Sequence, residues 1–152
     1  MTTVNIQAVG IYLGTQKGQS PLPVEIGAGQ TLKDAFDLIQ ANPGAYDANL
    51  SAFSYTPDPN GLMTLSATYK ASIQSRSGRT SPAGTYSISE FHLAAPLSGQ
   101  TVWQYYVFDS TGTRKPVSGE TPFSDYEPAD GDLVIFRNVA ILTGPTAQFI
   151  KT

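Results

Sequence analysis

His92, in "EFHLA", is the one imidazole of a 152-residue chain that has no cysteine. Zinc sites of the usual kind gather several Cys or His ligands, so none is expected. His92 reads as an ordinary strand histidine. A Ser-His-Asp relay needs its serine on a sharp strand-to-helix turn, and no G-x-S-x-G stretch occurs. "GAGQTL", residues 27–32, superficially suggests a phosphate cradle but lacks the third glycine and the P-loop lysine. Asp130 and Asp132 flank Gly131 and offer oxygens for calcium, yet the alternating acids and distal Glu of a calcium loop are missing. Turn formation accounts for them better. Glu120, Asp125 and Glu127 are scattered along a polar stretch and read as solvated. No catalytic residue, metal ligand or cofactor site is assigned, and the chain is read as non-enzymatic.

The residues best suited to recognition are aromatic. "TVWQYYVFDSTG", residues 101–112, contains the single Trp. Strand alternation puts Val102, Gln104, Tyr106 and Phe108 on one face and Trp103, Tyr105 and Val107 on the other. Both faces are largely apolar, which predicts a central strand covered on both sides, with Trp103 buried and the Tyr106 face against a helix. The competing reading makes Trp103 and Tyr105 a stacking surface for a flat ligand, a sugar or a protein. The loops at 75–84, carrying Arg76 and Arg79, and at 113–131, carrying Arg114, would then form its rim.

Punctuation by 14 Gly and 11 Pro favours many short strands over long helices. The first strand places Val4, Ile6 and Ala8 on one face. Gly10 resets the phase, so that Ile11 and Leu13 continue that face. Leu22, Val24 and Ile26 form the return strand. "TLKDAFDLIQAN" is the one convincing helix: Thr31 is the N-cap, Asp34 suits the first turn, and Leu32, Ala35, Phe36 and Ile39 recur at helical spacing. Asn42-Pro43-Gly44 ends it. "LSAFSYT" and the strand after it are joined through Asn60-Gly61, a hairpin signal. Met63, Leu65, Ala67, Tyr69, Ala71 and Ile73 alternate with polar residues, so one face is buried and one wet. "TYSISEFHL" is a further strand, "DLVIFRNVAIL" an interior one, and "AQFIK" a short last strand.

The order of hairpin, helix, further strands and a late Gly-Asp before a buried strand is a β-grasp plan. There the helix crosses one face of a mixed sheet whose first and last strands pair in the middle. "PVEIGAGQTLKDAFDLI", "VWQYYV" and "PADGDLVIFR" together resemble the β-grasp domains of the transcobalamin C-terminal-like type, filed as domain of unknown function 4430. The likeness spans residues 3–40 and 101–137. Phe108-Asp109 replaces the Asn-Gly usual after Tyr-Tyr-Val, and the middle, 50–95, is enlarged. The resemblance implies a β-grasp fold and, by analogy with transcobalamin, a corrinoid-like ligand. "PAGTYSISE" also resembles a strand of the collagen-adhesin B-type domains, which implies Glu90 as promoter of a Lys–Asn isopeptide bond. An early-strand lysine is absent, however: Lys17 falls in a loop and Lys33 on the helix.

The expectation is therefore a single α+β, β-rich domain over residues 1–152, a β-grasp-like mixed sheet with one helix and an inserted β-hairpin. Its function is read as binding or assembly, with a protein partner or self-association ahead of a small-molecule ligand. Net charge of −3 provides no field for nucleic acid. No apolar run approaches a membrane span. The N-terminal stretch lacks the basic start and apolar core of a leader, so the chain as written reads as cytoplasmic, or as exported if a leader was removed.

Overall fold

The computed structural model describes residues 1–57, 61–117 and 121–142. Its first two strands, β1 (Thr2–Ala8) and β2 (Leu22–Ile26), pair antiparallel. Every second side chain is buried in β2 and, from Val4 onward, in β1, as a half-covered sheet requires. Helix α1 (Leu32–Ala41) follows, and a 3-10 turn (Pro43–Ala45) stops it. The Thr31 amide donates to Asp34 Oδ2 at 2.8 Å, the returning half of a capping box. Leu32, Ala35, Phe36 and Ile39 form the buried stripe, as the spacing predicts.

Next come β3 (Leu50–Pro57), β4 (Met63–Tyr69), β5 (Ile73–Gln74), β6 (Thr80–Ser81) and β7 (Gly84–Ser89). The chain then returns through β8 (Gly99–Phe108), β9 (Arg114–Lys115) and β10 (Leu133–Leu142). The main sheet has the order β2-β1-β10-β8-β9, with β1 and β10 parallel at its centre and all other pairs antiparallel. This is the β-grasp-like mixed sheet that the sequence predicts. Leu22, Ile6, Val134 and Val107 lie in one register row across four strands, and all are buried.

The insertion is larger than a hairpin. β3 and β4 do pair antiparallel, but β7 adds a third strand, and β5 with β6 makes a short ladder where an open loop is predicted at 75–84. Leu65, Ala67 and Tyr69 turn inward. On the outer face Thr64, Ser66 and Thr68 meet Ser89, Ser87 and Thr85 hydroxyl to hydroxyl at 2.6–2.8 Å. Those cross-strand bonds explain why short polar side chains alternate so regularly here.

Helix and insertion pack on the same face of the main sheet. Phe36 lies 4.8 Å from Phe136 of β10 and 5.4 Å from Phe53 of β3, ring centre to ring centre, so it is the keystone between the two sheets. Away from the helix the Trp103 indole of β8 donates directly to the Ile88 carbonyl of β7, and Tyr69 of β4 donates to the Ile11 carbonyl in the β1–β2 connection. The opposite face of the main sheet carries no second layer among the described residues. Trp103 is buried as expected. It is the Trp103–Tyr105–Val107 face that turns towards the helix and insertion, and the Tyr106 face that turns away, reversing the predicted orientation. Its apolar side chains shelter one another laterally instead, Tyr106 against Ile135, Phe108 against Leu133 and Val102 against Val139.

Two further expectations change. Ile11 and Leu13 are buried, but within a tight turn that folds Leu13 back onto Ala8 rather than in a continued strand. β7 ends at Ser89, and exposed His92 makes only an isolated bridge to Gln100. Asn60 of the predicted Asn60-Gly61 turn and the predicted strand "AQFIK" lie outside the described residues.

Candidate functional site

A cleft of about 950 Å³ opens where the inserted sheet diverges from the main one. Phe136 forms its floor, α1 contributes Lys33 and Gln40, and β3 and β4 contribute Tyr55 and Met63. Phe123 and its neighbours close the far side. Four consecutive residues of β8, Trp103 to Tyr106, also line it. Consecutive strand residues point to opposite faces, so a single cleft reaches all four only by running along the strand's edge.

That edge is unpaired at Tyr105 among the described residues for a physical reason. Thr101, Trp103 and Asp109 aim their amides away from β10, at the Phe91 carbonyl, Glu90 Oε2 and the Thr113 carbonyl. By alternation Tyr105 and Val107 do the same. β9 pairs with Val107 and Phe108 only, and Pro116 follows its last residue. Tyr105 therefore has no backbone partner on its outer side among the described residues.

Glu90 forms the inner wall. Its Oε1 accepts the Met63 amide at 2.6 Å and its Oε2 the Trp103 amide at 2.7 Å, so one carboxylate ties the two sheets together. The Glu90 amide donates to the Met63 carbonyl at 2.9 Å, which fixes the side chain's own backbone. At the mouth, Asp37 receives the Tyr55 hydroxyl on one oxygen and Lys33 Nζ at 3.1 Å on the other. Hydrogen bonding to Asp37 raises the Lys33 pKa, and burial, seconded by Asp37, raises that of the Tyr55 phenol. Tyr105 donates to the Thr121 carbonyl at 2.7 Å, and burial raises its pKa too. Both phenols thus stay protonated and Lys33 stays charged at neutral pH.

Arg114 stands differently. Its guanidinium carbon lies 5.1 Å from the centre of the Tyr106 ring, and no carboxylate lies within ion-pair distance among the described residues. The chemistry on offer is apolar contact, stacking, backbone hydrogen bonding and pairing with one anion.

The structure brings together three of the five residues singled out in the sequence: Trp103, Tyr105 and Arg114 line this cleft. Arg76 and Arg79 do not. Arg76 lies against the β1–β2 connection, donating to the Gln19 carbonyl at 2.7 Å, and Arg79 follows in the exposed β5–β6 turn. The Asp130–Asp132 turn is structural: Asp130 accepts the Thr3 amide, and Asp132, 1% exposed, accepts Lys115, Tyr126 and the Ala129 amide. Gly131 has φ +86°, and a Cβ there would sit 2.9 Å from the Ser110 Cβ. Sequence reasoning missed Met63, Phe123 and the tie made by Glu90. Phe123 was detectable as an aromatic inside an otherwise polar stretch, whereas a carboxylate bridging backbone amides leaves no spacing to read. No family model and no curated protein matches the chain.

Proposed function

We propose that this protein is a non-catalytic binding module that holds a protein partner in the aromatic cleft. The observation that carries the reading is the cleft wall itself. Tyr55, Met63, Trp103, Phe123 and Phe136 face a common space, with Arg114, which has no ion-pair partner among the described residues, at its rim. Aromatic and arginine side chains in such a setting are the usual anchors of protein contacts. A small ligand is the second reading, favoured by the volume of about 950 Å³, which matches pockets for drug-sized molecules. The transcobalamin resemblance points the same way.

A photo-crosslinking residue at Ser124, on the cleft rim, tests both. The control carries it at Ser87, in the hydroxyl ladder on the far side of the insertion. A protein-sized adduct at 124 and none at 87 supports the first reading, and an adduct of a few hundred daltons supports the second. No adduct at 124, or equal adducts at both positions, refutes the cleft as the binding site.

A further inference from the structure

We infer that the cleft receives its partner as an added β-strand: a short extended peptide pairs with the open edge of β8 at Tyr105 and places a carboxylate on Arg114. The inference rests on the cleft reading above and specifies its occupant. Two independent features lead to it. One is the gap in an otherwise satisfied edge. Thr101 and Trp103 below the gap have acceptors, β9 covers Val107 above it, and Tyr105 between them offers an outward N–H and C=O with no partner among the described residues. An exposed strand edge is a template for another strand, with main-chain bonds supplying affinity and alternate side chains supplying specificity.

The other feature is what lies on each side of that edge. A peptide residue opposite Tyr105 shares its face and enters the apolar space among Tyr55, Met63 and Phe123. Its neighbour, opposite Tyr106, shares the other face and meets Arg114, which stacks on Tyr106 with no acid in ion-pair distance among the described residues. Lys33 does not compete for the carboxylate, because Asp37 already holds it. The recognised segment is therefore an apolar residue next to Asp or Glu, in extended conformation. From Trp103 to Val107 the edge runs about 13 Å, room for a core of three or four residues.

The test is selection of linear heptapeptides from a displayed library against the full chain, followed by synthesis of the best binder with capped ends. Enrichment of an apolar–acidic pair is expected. Binding should shift the Tyr105 amide resonance downfield and slow its exchange with solvent. N-methylation of the peptide amide that faces β8 should weaken Kd at least about ten-fold, while N-methylation of the next amide changes it by less than about three-fold. Replacing the peptide acid by its amide and Arg114→Gln should each cost about five- to ten-fold, with no further loss when combined. A binder that perturbs Trp103 and Phe123 but tolerates N-methylation at every position overturns strand addition and leaves the cleft reading standing. So does a library without binders when Ser124 crosslinks a protein. Failure of both experiments removes both.

Discussion

Glu90→Gln should destabilise the fold far more than its near-identical shape suggests. The wild-type carboxylate accepts two backbone amides, Met63 at 2.6 Å from the inserted sheet and Trp103 at 2.7 Å from the main one. Hydrogen bonds to a charged acceptor contribute about 1.5–3 kcal/mol each, so the pair is worth roughly 3–6 kcal/mol before compensation. Glutamine keeps one acceptor oxygen and turns an NH₂ donor towards the other amide, so one bond is lost and two donors oppose each other. Because the site borders an open cleft, water can take up part of the freed amide. A net loss of about 1.5–3 kcal/mol follows. Glu90→Ala loses both bonds but rehydrates more freely, at about 2–4 kcal/mol. Urea unfolding followed by far-ultraviolet circular dichroism gives the stability, with an unchanged m-value as the check on comparable denatured states. Amide exchange gives the location: Met63 and Trp103 should lose protection together in Glu90→Gln. If that variant stays within about 0.5 kcal/mol of wild type, the carboxylate does not tie the sheets and the reasoning fails.

Phe36→Ala removes the ring between Phe136 and Phe53 and should cost about 3–5 kcal/mol; a loss below ~1 kcal/mol in the same assay would remove Phe36 from its keystone role. Trp103, 8% exposed and bonded to the Ile88 carbonyl, should emit at short wavelength, resist iodide quenching and red-shift only on unfolding. Ready quenching in the native protein would place the indole outside the core. Burial raises the pKa of Tyr69, so above about pH 10 the unfolded chain has released a proton that the folded chain keeps. The folded state then binds more protons and stability falls as pH rises, whereas Tyr69→Phe should flatten that alkaline slope while losing about 1 kcal/mol at neutral pH with its bond to Ile11. An identical alkaline slope in the two proteins would contradict the assignment. Intact mass should equal the sequence mass, because both Glu90 oxygens are engaged with amides; a deficit of ammonia or water abolished in Glu90→Ala would mean an isopeptide bond.

Periodicity carried the sequence reading wherever one face is wet and the other dry. In α1, β2 and β4 the buried residues fall at the predicted positions, because a polar residue in those patterns has only one place to go. In β8 both faces are apolar, and alternation alone cannot say which of them meets the helix. The structure assigns Trp103 and Tyr105 to the covered side and leaves Tyr106 and Phe108 to lateral shelter against Ile135 and Leu133. Thr101 to Phe108 was legible as a strand, two residues short of β8, while an outer edge left unpaired among the described residues was not. That edge depends on where β9 stops, and Lys115-Pro116 marks the end only once the pairing of Lys115 with Val107 is known. Arg76 and Arg114 look alike as loop cations, but one closes onto the Gln19 carbonyl and the other stands over Tyr106.

The cleft arises because a second sheet shares one face of the first with a helix. Phe36, with Phe53 and Phe136 on either side, holds the sheets apart at the helix end. Glu90, together with the Trp103–Ile88 and Tyr69–Ile11 bonds, draws them together at the other end. A wedge held open at one side and bonded at the other must leave a tapering gap, and the aromatic residues that fill its narrow part become the lining of its wide part. Tyr55 shows this double use: its ring lies 5.5 Å from Phe36, while its hydroxyl anchors Asp37 at the mouth. Core packing and cleft lining are therefore continuous, which is why the aromatics of this chain resist sorting into one class or the other from their order alone.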